Sequence, residues 1–222
     1  VFGGHSEFDI TPEATGGLTS FLGAGSFYGG NLRYNVVQAH DWFLDLTGSL
    51  SAENSKIDSD LGVSSDIDMR LLGLGFEIHR SDTMSDTSAV LDCIQCLGGS
   101  DSEDFEEART GAERDFVKYS LVASHKQYLD EAKLNHIGGS FRYILSDDRL
   151  VPAKMTTFGG LYSVRGYPED ALVADGGILA SLEYRRCLVR GLGAEEAKKG
   201  GKISRMIRPV DVSVLGFTDY GR

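Results

Sequence analysis

Arg165 is the residue whose setting most clearly asks for chemistry. It stands in "TFGGLYSVRGYPEDALVADGG", residues 157 to 177, a connection with two Gly-Gly pairs between stretches that alternate apolar and polar residues. An arginine's planar fork binds a carboxylate through two parallel N–H···O bonds and keeps its charge, so it suits a fixed ion pair. Gly166 and the pair Gly159-Gly160 permit backbone conformations that other residues resist. Val164 precedes the arginine, and Tyr167 offers a ring to pack and a hydroxyl to bond. About fifty residues on, "FTDYG" sets Asp219 on the polar face of an alternating stretch, with Phe217 on the same face.

The other reactive side chains make weaker constellations. "CIQC" puts Cys93 and Cys96 at a redox or zinc spacing, but within an alternating stretch where residues three apart face opposite sides, and Cys187 is distant. His5, His40, His79, His125 and His136 are scattered, with no i, i+4 pair to hold a metal. Ser163 has no nucleophile elbow around it, and "GAEEAKKGGK" lacks the G-K-[ST] ending of a phosphate loop. Asp147-Asp148 reads as a solvated turn. These observations predict no enzyme, no cofactor and no metal.

The elements that must position Arg165 and Asp219 are strands. "DGGILASLEYRR" sets Ile178, Ala180, Leu182 and Tyr184 against Ser181, Glu183 and Arg185. "VDVSVLGFTDYG" sets Val210, Val212, Val214 and Tyr220 against Asp211, Ser213, Phe217 and Asp219. Trp42, Leu44, Leu46 and Leu50 oppose Asp45, Thr47, Ser49 and Ser51 in the same way, and Val117, Tyr119, Leu121 and Ala123 oppose Lys118, Ser120 and Ser124. Further strands are expected near residues 1–10, 18–27, 31–38, 66–79, 87–97, 134–145 and 151–158, for ten or eleven in all. Polar runs such as "KIDSDLGVSSD" and "RSDTMSDT" read as connections, and "EDFEEARTGAER" as room for a short helical turn. The longer segments 98–114 and 190–206 carry no motif.

Strands of about 9–11 residues or more, apolar on one face and polar on the other, suit a membrane-spanning barrel. Phe8, Tyr34, Trp42, Phe116, Tyr119, Tyr128, Tyr143, Phe158 and Tyr184 fall near strand ends, as interfacial girdles do. A soluble sandwich alternates too, so the period alone leaves both open. A net charge of -11 excludes nucleic acid bound through its phosphates. Twenty-eight glycines with only four prolines suit turns and bulges rather than a disordered linker. The chain begins at Val1 and ends at Arg222 just after a strand, and is read as an internal piece of a longer protein.

"FGGLYSVRGYPEDALVADGGILASLEYR" resembles the long inward loop and following strand of the two-partner secretion transporters (TpsB, the ShlB/FhaC/HecB type). "GFTDYGR" is similar to that family's F-x-D-x-G strand motif, carried by Phe217, Asp219 and Gly221. The related BamA assembly factors carry a similar arginine-glycine-aromatic loop. The resemblance implies an all-β, sixteen-stranded transmembrane antiparallel barrel of the bacterial outer membrane, preceded by periplasmic POTRA domains. This chain would supply part of its wall, the POTRA domains and the first and last strands lying outside it. It further implies that the loop folds into the lumen, where Arg165 pairs with Asp219 and Tyr167 packs against residues such as Phe217. The expected partners are an unfolded secreted exoprotein, outer-membrane lipid and the barrel-assembly machinery. A BamA-like assembly factor, a passive channel and a soluble or surface β-protein acting as a binding module remain as alternatives.

Overall fold

A computed structural model of the chain describes residues 1–10, 21–59, 64–161, 163–169, 171–189 and 212–222. Nine strands form one antiparallel sheet in which each strand pairs with the one before it: β1 (Phe2–Ile10), β2 (Phe21–Ala39), β3 (Trp42–Ser59), β4 (Ser64–Ser81), β5 (Ser85–Gly99), β6 (Val117–Tyr128), β7 (Asn135–Leu145), β10 (Gly177–Val189) and β11 (Val212–Gly221). The short strands β8 (Thr156–Phe158) and β9 (Leu172–Ala174) pair only with each other, at the base of the Arg165 loop. A helix, α1 (Ser102–Ala108), lies between β5 and β6. Among the described residues no helix is long and apolar enough to cross a membrane, which leaves crossing by strands untouched.

The strands of the sheet are longer than the sequence pattern predicts, and of the eleven strands among the described residues nine belong to it. Residues 18–27 and 31–38 read as two strands, yet Phe21–Ala39 is one, because Gly29 and Gly30 stay in the ladder opposite Ser51 and Leu50. Much of the polar run 56–66 is also strand: Lys56 pairs with Asp66 and Asp58 with Ser64. There the hairpin continues past the end of its apolar band. The stretch 151–158 contributes a single 3-10 turn (Pro152–Lys154) and β8, so it belongs to the loop rather than the sheet. Residues 190–206, with Val210 and Asp211, lie outside the described residues.

Alternation separates the two faces of the sheet. Cross-strand partners share a face, so the pairs Leu50–Leu72, Leu46–Phe76 and Leu44–Ile78 form one apolar surface across β3 and β4. Leu91–Leu121–Tyr143–Ile178 and Leu182, Tyr184 and Val214 continue it to the far edge. Most of these side chains are open to the surroundings: Leu50 is 60% exposed, Leu74 58% and Val214 56%. An outward apolar band of this extent marks a surface meant for a non-aqueous neighbour.

The opposite, inner face is polar through its middle. Asn35 donates to Asp45 (2.6 Å), Arg33 pairs with Glu77, and Ser88 and Ser124 share a hydrogen bond of 2.8 Å. Four serines, Ser88, Ser124, Ser140 and Ser181, stand side by side across β5, β6, β7 and β10, and the row ends at Asp219 on β11. A packed apolar core also lies on this face. Phe105 of α1 and Phe116 are fully buried against Met69, Leu71, Cys96, Leu150 and Val151. Segment 100–116 therefore folds back over β4 and β5 rather than extending away from them.

That packing corrects the aromatic girdle. Tyr34, Trp42, Tyr119, Tyr143 and Tyr184 are exposed on the outer face. Phe116 and Phe158 are buried instead, because the segments carrying them turn inward. Tyr128 faces inward, its ring under the ammonium groups of Lys126 and Lys133. The side chain of Phe8 lies outside the described residues.

Candidate functional site: the Arg165 loop on the inner wall

The Arg165 loop leaves the end of β7 and returns to β10. Its tip is held by its own backbone: Gly160 N–H donates to Tyr167 O (3.2 Å), Ser163 N–H to Gly160 O (3.2 Å) and Tyr167 N–H to Val164 O (3.4 Å). Ser163 Oγ accepts from Gly159 N–H (3.1 Å), and Glu169 accepts from Leu161 N–H (3.1 Å). Gly159, Gly160 and Gly166 have φ of 111°, 88° and 93°. That left-handed backbone costs residues with a Cβ about 1–2 kcal/mol each, and it allows the chain to reverse on both sides of Arg165.

The reversal delivers Arg165 onto β10 and β11. Its Nε donates to Asp219 Oδ2 (2.7 Å) and its Nη2 to Asp219 Oδ1 (2.6 Å), the two-toothed grip that the fork geometry favours. Its backbone N–H donates to Asp219 Oδ2 as well (3.0 Å). Nη2 also donates to Ser181 Oγ (2.9 Å), which in turn donates to Asp219 Oδ1 (2.7 Å), and Nη1 pairs with Glu183. The guanidinium carbon lies 3.7 Å from the centre of the Phe217 ring. The Asp219 side chain is only 3% exposed and that of Arg165 14%, whereas Glu183 is 37% exposed.

The F-x-D-x-G spacing now has a physical reading. Positions 217, 219 and 221 are two apart, so all three point inward. Phe217 lies under the guanidinium, Asp219 takes its charge, and Gly221 leaves room for the residue before it. A Cβ on Gly221 would come within 2.7 Å of Val164 Cγ2. Adjacent loop residues, Val164 and Arg165, thus meet alternate strand residues.

Tyr167 is placed differently from the sequence expectation. It is 65% exposed and borders a cavity with Phe158, Leu172 and Gly221, while Arg165, not Tyr167, covers Phe217. Further contacts that hold the loop escaped sequence reasoning. Ser181 and Glu183 lay on the polar face of their strand, but nothing tied them to Arg165. Asp175, just before Gly176, accepts from Arg109 of the β5–β6 connection, and Lys154 pairs with Glu53 on the inner face of β3. Ion pairs between residues so far apart in the chain have no local signature.

Neither the cysteines nor the histidines form a metal centre among the described residues. Cys93 and Cys96 lie on opposite faces of β5, Cys96 buried beside Phe105, and none of the three cysteines is in a disulfide. What the site can do is mechanical: it fixes a long loop against a polar wall.

An open antiparallel sheet with an apolar outer band, a polar inner wall and a loop clamped inside is part of a transmembrane β-barrel. Two solved structures share the fold: CdiB from Escherichia coli (TM-score 0.69, 19% identity, 84% of this chain and 35% of that one) and CdiB from Acinetobacter baumannii (TM-score 0.60, 16% identity, 83% and 34%). The chain thus spans about a third of the length of these structures. Residues 49–191 match the family described as Haemolysin secretion/activation protein ShlB/FhaC/HecB. With more than half its length matched, the chain belongs to that family, the two-partner secretion transporters. No curated protein sequence matches it.

Proposed function

We propose that this chain is the wall section of an outer-membrane translocator that secretes and activates a large partner exoprotein through the barrel lumen. The parent protein would carry POTRA domains before the barrel and further strands to close it. The observation that carries the reading is the clamp of Arg165 on Asp219, which gives the in-folded loop of this family a fixed seat. The serine row and neighbouring polar pairs support it further, since a passing unfolded chain would meet hydrogen-bond partners rather than apolar patches. The outer apolar band would face lipid, after insertion by the barrel-assembly machinery. No catalysis is required of any residue, and export would be drawn forward by folding of the partner outside the cell.

The test is export by the full-length protein. Arg165→Ala and Asp219→Ala should each cut the amount of partner in the medium, while immunoblots of outer membranes still find much of the transporter. Normal secretion by both variants would refute the role given to the clamp.

A further inference from the structure

Arg165 secures only the tip of the loop, and the base has a fastening of its own. We infer that Arg109, on the connection between β5 and β6, is a positioning residue that ties the two limbs of the Arg165 loop together and to the wall.

Three observations carry this. First, the β5–β6 connection is itself fixed, because Phe105 and Phe116 are fully buried against Met69, Leu71 and Cys96 on the inner face. Second, Arg109 at the end of α1 bridges both limbs. Its Nη1 donates to Leu150 O (2.6 Å) on the outgoing limb, and both its terminal nitrogens meet the Asp175 carboxylate on the returning limb, Nη2 at 3.1 Å. Third, Asp175 closes the ring by accepting Leu150 N–H (3.1 Å). The neighbouring Glu113 N–H donates to Arg149 O (3.0 Å), which adds a second seam between the same segments.

The pair is half-buried, with side chains 21% and 27% exposed, and every contact joins segments distant in sequence. Arg109 therefore acts on the loop through its limbs, away from the tip. Without it, the outgoing limb before β8 can lift from the wall even while Arg165 stays on Asp219. The fastened-loop reading underlies this inference, but loop exposure rather than export is what tests it. Normal export by Arg165→Ala would sink the proposed function and leave Arg109 standing.

Trypsin supplies the test on the full-length protein in detergent micelles, cleaving after Arg149 and Lys154 on the outgoing limb. When opening and closing outpace cleavage, the cleavage rate follows the population of the opened limb. Arg109→Gln and Asp175→Asn should each speed cleavage there by about ten-fold or more, the usual scale for losing a charge-assisted pair. The exchange of charges, Arg109→Asp with Asp175→Arg, should bring the rate most of the way back. Wild-type rates in both single variants would overturn the inference, as would faster cleavage that the exchange fails to correct. If a single variant loses the heat-modifiable gel migration of a folded barrel, the exchange decides: recovered migration supports the pairing and continued loss refutes it.

Discussion

Replacing Asp219 by alanine should free the tip of the loop, whereas replacing Glu183 by glutamine should barely disturb it, although both carboxylates touch the same guanidinium. Burial makes the difference. Asp219 is 3% exposed and receives four hydrogen bonds, from Arg165 Nε, Nη2 and backbone N–H and from Ser181. Removing one member of a buried pair costs about 3–5 kcal/mol, because the remaining charge keeps its desolvation cost without its partner. Here Glu183 and the Phe217 ring stay in place, so the loss should lie near ~2–4 kcal/mol. Glu183 is 37% exposed, and a pair of that kind is worth ~0–1 kcal/mol.

Hydrogen–deuterium exchange of the full-length protein measures this directly. The amides of Gly160, Arg165 and Tyr167 are bonded within the clamped tip, and local opening exposes them. At about 1.4 kcal/mol per factor of ten, Asp219→Ala should speed their exchange roughly 30-fold to several-hundred-fold, and Glu183→Gln by less than about five-fold. A double-mutant cycle should couple Arg165 strongly to Asp219 and weakly to Glu183. Equal effects of the two carboxylates, or exchange in Asp219→Ala within about three-fold of wild type, would refute the burial argument.

Three other perturbations follow from the geometry. Gly221→Val would push against Val164 and, at the ~1–3 kcal/mol typical of overpacking, should loosen the tip without removing any charge, which the same amides would register. Gly166→Ala leaves ample space but forces a Cβ onto a φ of 93°, so roughly 1–2 kcal/mol of strain should appear in tip exchange while the Leu150 amide is unchanged. Burial pushes the Asp175 carboxyl up, but the hydrogen bonds from Arg109 and the Leu150 N–H outweigh it and hold the group below its ordinary value. A lowered folded-state value stabilises above the unfolded carboxylate pKa of about 3.9 and is lost as pH falls through the lowered one. Exchange at Leu150, corrected for intrinsic rate, should accelerate only in that acid range, and Asp175→Asn should abolish the dependence.

Much of the wall was legible from alternation, since a strand with one apolar and one polar face announces both its period and its orientation. The faces assigned to Ile178, Leu182 and Tyr184 and to Ser181 and Glu183 match the sheet. Strand ends were less legible. Gly29 and Gly30 look like a turn in isolation, and only the paired strand β3 keeps them extended. The acidic segment before β6 was opaque for a similar reason: Phe105 looks like an exposed loop aromatic, and Phe116 like a girdle residue at a strand end, until β4 and β5 supply the apolar surface that buries them.

The loop motif was legible as a pattern, and the structure supplies its reason. A strand displays every second residue on one face, so a partner held against it can test alternate positions at once. Here two consecutive loop residues do so: Val164 needs a glycine at 221, while Arg165 needs a carboxylate at 219 and can use a ring at 217. None of these requirements substitutes for another, because one is space, one is charge and one is a face to lie on. A loop displaced by one strand residue would set the guanidinium over outward-facing positions, and a displacement by two would offer it Phe217 or Gly221 in place of the carboxylate. The motif therefore specifies a register as well as an affinity, and it does so at the tip of a loop whose own regular pairing is a two-stranded stem of three pairs.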